Sequence, residues 1–217
     1  MRRRLLTLLG LALVLIGPGV VALLARPDTG EPFVLSISIV WLCVFLLLVG
    51  TVAAIAWLGE GLTLADVGLG RMGWYTIPSA IALALFFVYV FGPAAHWSLV
   101  ALGLDAFAAG RNALADLPTW YLGLTVVLVA ASEEWLYRGY AIERLQALTG
   151  HAWLAGAVSL LIFAIVHVPL WGIEVALTTL VSGAILTALY LWRRDVVFLM
   201  LAHVATDLYG LLIAPMR

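Results

Sequence analysis

The stretch WYLGLTVVLVAASEEWLYRGYAIERLQAL, residues 120–148, decides the fold of this chain. Residues 120–132 carry no charged side chain, and Glu133, Glu134 and Arg138 follow directly. A run of this length without proline predicts one continuous helix. Charged groups within an apolar helix are costly in a bilayer and usually mark function. The stretch therefore predicts a membrane-spanning helix that carries chemistry at its middle.

The composition of the whole chain points to the same environment. Of its 217 residues 65% are hydrophobic and only 11% are charged, whereas a soluble domain carries about 25% charged residues. This excludes a soluble globular protein and a disordered one. One cysteine, Cys43, excludes a disulfide scaffold. A net charge of -1, with no basic run longer than residues 2–4, argues against a nucleic-acid partner.

Seven apolar runs approach the roughly 20 residues that a spanning helix needs, and they are too long and continuous for the strands of a β-barrel. The chain is therefore predicted to be all-α, a polytopic helix bundle in contact with membrane lipids. The predicted spans are residues 5–24, 33–58, 75–102, 120–148, 152–168, 175–192 and 196–214. Pro169 and Gly172 are expected to mark the turn between the fifth and the sixth.

Basic residues predict the orientation of the bundle. With the N-terminus in the cytoplasm, seven arginines lie in inner loops and three in outer loops. The inner set is Arg2, Arg3, Arg4, Arg71, Arg144, Arg193 and Arg194, and the outer set is Arg26, Arg111 and Arg217. The absence of lysine is typical of a GC-rich bacterial genome. We therefore expect an integral protein of a bacterial plasma membrane with a cytoplasmic N-terminus.

The polar residues within the spans are concentrated in the C-terminal half. We predict one transmembrane domain, residues 1–217, in which residues 1–117 are scaffold and residues 118–214 carry the site. At 1.5 Å per residue, Glu133 and His167 lie roughly 22 and 24 Å from the predicted cytoplasmic ends of their helices, and His203 and Asp207 roughly 12 and 18 Å. Within the error of those ends, the four side chains are predicted to meet in one cavity near mid-membrane.

Spacing within each helix indicates which side chains face each other, because residues four apart share one helical face. Three such pairs are Glu134 with Arg138, Phe163 with His167, and His203 with Asp207. Pairing of Glu134 with Arg138 neutralises both charges and leaves Glu133 facing elsewhere. We therefore interpret Glu134 and Arg138 as structural rather than catalytic.

Three motifs together resemble a known family. They are E-E-x-x-x-R at residues 133–138, F-x-x-x-H at residues 163–167 and H-x-x-x-N/D at residues 203–207. In this order they resemble the CAAX protease and bacteriocin-processing (CPBP) family of intramembrane glutamate endopeptidases, over residues 118–214. The N-terminal spans match this family only in being hydrophobic.

The resemblance implies a glutamate-dependent peptide-bond hydrolase, for which we expect no cofactor. By position, Glu133 with His167 would activate a water, and His203 with Asp207 would hold the oxyanion. Glu134, Arg138 and Phe163 would shape the site. The prenyl-protein proteases of the family usually carry asparagine where this chain carries Asp207. An ionised carboxylate cannot donate to an oxyanion, so Asp207 either orients His203 or acts in a protonated form.

Other functions remain open on the sequence alone. Glu133, His167 and His203 form the His₂Glu set of some catalytic zinc sites, so a metal-dependent protease is one alternative. A non-catalytic membrane partner of the immunity type and a proton-coupled transporter are the others, although no inverted repeat supports a transporter. The substrate is expected to be a membrane-associated peptide or protein, with leader peptides, bacteriocins and signalling peptides as candidates.

Several further polar residues are predicted to be structural. His96, His151 and Cys43 lie outside the three motifs, and Ser182-Gly183 is interpreted as helix packing rather than as a serine nucleophile. No H-E-x-x-H motif is present, which excludes a zinc protease of that type.

Overall fold

The computed structural model describes residues 1–25, 34–104, 114 and 116–213, and in this part of the chain all regular structure is helical. Seven helices follow one another in these ranges, which confirms the predicted all-α bundle. They are α1 (Arg2–Ala25), α2 (Leu35–Gly59), α3 (Thr76–Ala101), α4 (residues 119–149), α5 (Ala152–Ile165), α6 (Val168–Arg193) and α7 (Val196–Leu208, continued by a π-helix at Tyr209–Ile213). A short 3₁₀ turn, Ala65–Val67, lies between α2 and α3.

The helices differ in whether they are long and apolar enough to cross a bilayer. Among the described residues, α1, α2, α3 and α6 are long and apolar enough to do so, whereas α5 and α7 are apolar but shorter. Helix α4 contains both acidic residues of the first motif and is not one of the four. The predicted outer arginines Arg26, Arg111 and Arg217 lie outside the described residues.

Helix α4 lies at the centre of the bundle. It runs as an α-helix over Thr119–Glu134, widens to a π-helix over Trp135–Ile142 and returns to α-helix over Glu143–Thr149. All eight residues of the π-helical segment are buried. One hydrophobic cluster joins this segment to α1, α2 and α5, and a second joins it to α3, α5, α6 and α7.

Close contacts at glycines allow the neighbouring elements to reach α4. A Cβ atom at Gly10 of α1 would overlap the Tyr140 hydroxyl group, and one at Gly139 would lie 2.6 Å from the carbonyl oxygen of Val67. The absence of a side chain at both positions therefore lets α1 and the loop after α2 pack directly on the π-helical segment.

The helix ends that are predicted to be cytoplasmic are joined to one another. Asp195 caps α7 by accepting a hydrogen bond from the Val197 N–H at 3.1 Å, and its other oxygen accepts one from the Thr76 hydroxyl at 2.7 Å. The Gly68 carbonyl accepts a hydrogen bond from the Val196 N–H at 3.1 Å. These bonds fix the loop after α2 and the start of α3 to the start of α7.

The predicted turn between the fifth and sixth spans begins earlier than expected, and its predicted end at Gly172 is confirmed. Helix α5 ends at Ile165 and α6 already begins at Val168. Pro169 belongs to the first turn of α6, where a proline sacrifices no helical hydrogen bond. Gly172, with φ 82° and ψ 174°, breaks this helix after its first turn, a conformation that glycine adopts without steric cost.

Candidate active site

The first motif forms a buried ion pair. Arg138 Nη1 lies 2.9 Å from Glu134 Oε1, and both side chains are almost completely inaccessible to solvent. The second terminal nitrogen of Arg138 donates to the Gly183 carbonyl at 3.5 Å. Its guanidinium carbon lies 4.2 Å from the centre of the Phe163 ring. The buried charge of Arg138 is thus compensated by three groups. They are a carboxylate from α4, a carbonyl from α6 and an aromatic ring from α5.

His203 connects this ion pair to the third motif. Its Nδ1 lies 2.9 Å from Glu134 Oε1, and its Nε2 lies 3.4 Å from Asp207 Oδ2. Because a carboxylate only accepts hydrogen bonds, both ring nitrogens can donate at once when the imidazole is protonated. Glu134 is fully buried, whereas 42% of the Asp207 side chain is exposed. The imidazole is therefore fixed on one side and bordered by a more accessible carboxylate on the other.

His167 lies in the turn between α5 and α6 rather than within a helix. Its Nδ1 lies 2.7 Å from the Phe163 carbonyl oxygen. Since a carbonyl can only accept, Nδ1 carries the hydrogen, and Nε2 of the neutral ring keeps a lone pair. The Phe163 ring contacts the imidazole edge to face, with the centroids 4.7 Å apart. The contact between these two side chains that their spacing predicts is therefore confirmed.

Glu133 lies on α4 next to the ion pair but is only partly buried. It is within electrostatic range of His167, His203 and Asp207. The structure thus brings the four predicted catalytic residues into one region, with Glu134, Arg138 and Phe163 forming one side of it.

The zinc alternative requires three ligands that converge on one point. Among the described residues, no group of three histidine, cysteine, aspartate or glutamate side chains is arranged to hold a metal ion. Both ring nitrogens of His203, one of the three candidate ligands, already face carboxylates. The arrangement of Glu133, His167 and His203 therefore does not fit a zinc ligand set.

Two contributors to the site were not anticipated from the sequence. The Tyr137 hydroxyl is buried and has no hydrogen-bond partner among the described residues, and the Tyr137 ring packs edge to face on Phe163 at 4.8 Å. The Ser159 hydroxyl donates to the Tyr137 carbonyl at 2.7 Å. The position of Tyr137, four residues after Glu133, is the signal that indicates a shared face.

The polar residues predicted to be structural make local contacts. His151 Nδ1 lies 2.7 Å from the Thr149 carbonyl oxygen, and His96 packs on its neighbour Trp97. The Ser182 hydroxyl donates to a carbonyl of its own helix at 3.4 Å. Cys43 is exposed on α2.

In the comparison with protein families, residues 115–209 match the model described as Type II CAAX prenyl endopeptidase Rce1-like. The matched stretch contains all three motifs and runs from just before α4 into the π-helical turn after α7. No curated protein and no solved structure matches the chain. The match confirms the resemblance stated from the motifs and supports protease activity of the CAAX type in general.

Proposed function

We propose that this protein is an intramembrane endopeptidase with a glutamate-activated water, because residues 115–209 match the model described as Type II CAAX prenyl endopeptidase Rce1-like. It hydrolyses a peptide bond in a membrane-associated peptide or protein. The proposed location is a bacterial plasma membrane, and the proposed partners are lipids and the substrate chain. No cofactor takes part in the proposed reaction.

The unequal surroundings of the two adjacent carboxylates carry this proposal. Glu134 accepts hydrogen bonds from Arg138 and His203 and is fully buried. Its carboxylate therefore holds these two side chains in place and is not free to accept a proton from water. Glu133 is partly accessible and lies near His167, whose Nε2 is the nitrogen left without a hydrogen. Glu133 and His167 together therefore supply a proton acceptor of the kind that peptide hydrolysis requires.

In the proposed reaction, Glu133 and His167 take a proton from a water molecule. The resulting hydroxide forms a bond to the carbonyl carbon of the scissile peptide, and the carbonyl oxygen becomes an oxyanion. The intermediate then collapses and the C–N bond breaks. The proton held by Glu133 and His167 passes to the departing amine, so the site returns to its starting state.

His203 is proposed to stabilise the oxyanion. Glu134 holds its Nδ1 and thereby directs its Nε2 towards the accessible side of the ring, where Asp207 lies. A protonated His203 can donate its Nε2–H to an oxygen that enters beside Asp207. One preorganised donor of this kind contributes about 10²–10³-fold in rate. Glu134 and Arg138 act through His203 and are positioning residues.

The substitution Glu133→Gln tests the proposal directly. The amide keeps the size of the side chain but cannot take a proton, so the protein should fold normally and lose at least about 10²–10⁴-fold in turnover. Peptides in membranes of cells that express wild type or Glu133→Gln are compared by mass spectrometry. Glu143→Gln on the same helix is the matched control, since Glu143 contacts Tyr190 and Arg194 and lies outside the site.

Cleavage products should depend on Glu133 and should persist with Glu143→Gln. Identical peptides in wild type and Glu133→Gln would overturn the catalytic proposal and favour a non-catalytic membrane partner.

A further inference from the structure

A second polar site lies at the end of the bundle that is predicted to be cytoplasmic. It is a cavity of about 310 Å³ among the loop after α2, the end of α4 and the end of α6. Its charged lining residues are Asp66, Arg71, Glu143, Arg144 and Arg194. The α4 residues of this cavity begin nine positions after Glu134, roughly 14 Å along the helix axis. The cavity is therefore distinct from the proposed active site.

The two acidic residues of this cavity are already engaged by the protein. Glu143 Oε1 accepts hydrogen bonds from Arg194 and from the Tyr190 hydroxyl, both at 2.7 Å. Asp66 Oδ2 accepts hydrogen bonds from the N–H and the hydroxyl group of Thr63, also at 2.7 Å. These bonds to Thr63 lower the pKa of Asp66. Neither carboxylate forms an ion pair with Arg71 in the described part of the chain.

The arginines of this cavity retain binding capacity. Arg71 is exposed and forms no ion pair with the described residues. Arg144 reaches Glu60 only through Nη1, at 3.3 Å, and its buried Nε has no hydrogen-bond partner among the described residues. Arg194 is held in place by Glu143 and by Gln146 Oε1, each at 2.7 Å. Arg144 is paired with Glu60 and Arg194 with Glu143, so Arg71 is the guanidinium group of this cavity that has no acidic partner among the described residues.

We propose that this cavity binds the phosphate group of an anionic phospholipid. Guanidinium groups bind phosphate oxygens through paired, charge-assisted hydrogen bonds. Basic pockets between helices at the cytoplasmic surface are suited to acidic lipid headgroups, and that leaflet supplies such lipids. The cavity lies among helix ends, where a headgroup is expected, and its three arginines come from three separate elements.

The test is a thermal unfolding titration of the detergent-solubilised full-length protein. The probes are short-chain phosphatidylglycerol, short-chain phosphatidylcholine and inorganic phosphate. Phosphatidylglycerol should raise the unfolding midpoint in a saturable way, and phosphatidylcholine should not. Inorganic phosphate should act only at much higher concentration, because it lacks acyl chains that could pack on exposed apolar residues next to the lining, such as Leu64 and Met72.

One variant that removes a positive charge from the cavity and one that removes a negative charge test whether binding depends on the charge of the cavity. Arg71→Gln should weaken phosphatidylglycerol binding about tenfold or more, the usual effect of losing hydrogen bonds to a charged group. Asp66→Asn removes a negative charge from the cavity and should strengthen binding, a direction that general loss of structure cannot produce. Arg4→Gln removes a charge from an exposed residue outside the cavity and should leave the affinity unchanged.

Equal effects of phosphatidylglycerol and phosphatidylcholine would overturn the proposal, as would equal losses in Arg71→Gln and Arg4→Gln. Saturation by inorganic phosphate at the same concentration as by the lipid, with the same dependence on Arg71, would assign the cavity to a soluble phosphate and overturn the lipid assignment.

Discussion

Arg138 is held by contacts from three helices, and its loss should therefore affect stability as well as activity. Arg138→Ala would leave Glu134 buried without its partner, which costs about 3–5 kcal/mol in soluble proteins. We expect a lowered unfolding midpoint in detergent together with loss of cleavage. The matched control is Arg194→Ala, whose ion pair with Glu143 is partly exposed and should contribute only about 0–1 kcal/mol. An Arg138→Ala protein as stable as wild type but inactive would instead assign Arg138 a direct catalytic role.

A substitution at Asp207 separates two possible roles of this residue, donation to the oxyanion and orientation of His203. If residue 207 donates to the oxyanion, aspartate does so only when protonated, whereas an amide donates at any pH. Asp207→Asn should then remain active and should keep its activity at higher pH than wild type. If Asp207 instead orients His203 through its contact with Nε2, the amide should reduce turnover by several orders of magnitude, as in other histidine–carboxylate pairs.

We expect Asp207→Asn to remain active, and pH–rate profiles of both proteins, with and without a chelator, are the measurement. An Asp207→Asn protein inactive at every pH would contradict this expectation. Wild-type activity that a chelator abolishes would restore the metal alternative.

The sequence predicted some of these residue contacts and not others, for a geometric reason. Two of the contacts join residues that are four apart in the chain, so the spacing alone predicts them. These are Glu134 with Arg138 and Phe163 with His167. The contact between His203 and Glu134 depends on the relative depth of α7 and α4, which spacing within one helix does not specify. Predicted depths placed His203 in the right region, but they have errors larger than a hydrogen bond.

At the level of helices, the π-helical segment of α4 was also beyond prediction. Its residues are apolar or aromatic apart from Arg138 and Gly139, and a short buried π-helix and a buried α-helix carry the same hydrophobic signal. The predicted and observed limits of α4 therefore agree, whereas the internal geometry differs. In the same way, the sequence predicts a break at Pro169 and Gly172, whereas the structure places Pro169 within a short helical turn that ends at Gly172.

The close packing at Gly139 gives a test of this segment. A Cβ atom there would lie 2.6 Å from the Val67 carbonyl oxygen, so Gly139→Ala must displace the loop and should cost about 1–3 kcal/mol, the usual effect of overpacking. Gly50→Ala in α2 is the matched control, because nothing lies within 4 Å of the new methyl group. The control should be neutral or stabilising by about 0.5–1 kcal/mol. Unfolding midpoints in detergent provide the comparison, and equal midpoints for the two variants would refute the close approach.

The whole bundle has a predicted sidedness that can be measured. The ends of α2, α4 and α6 gather with the starts of α3 and α7, as the contacts of Arg144 with Glu60 and of Arg193 with Ser79 illustrate. These ends and the loop before α3 carry four of the seven predicted inner arginines, Arg71, Arg144, Arg193 and Arg194. Alkaline phosphatase fused after residue 217 should be active, and the same enzyme fused after residue 150 should be inactive. The opposite pattern would reverse the orientation.

The burial of all eight residues from Trp135 to Ile142 also limits which substitutions this segment can accept during evolution. The outward faces of α1 and α2 carry large exposed apolar side chains, and exchange of one such side chain for another there leaves the contacts with lipid much as they were. A substitution in the π-helical segment would instead alter packing inside the protein, because these buried residues contact other elements. Relatives of this protein are therefore expected to vary freely along the outward faces of α1 and α2, and to accept new residues in the segment only when the contacting residue also changes.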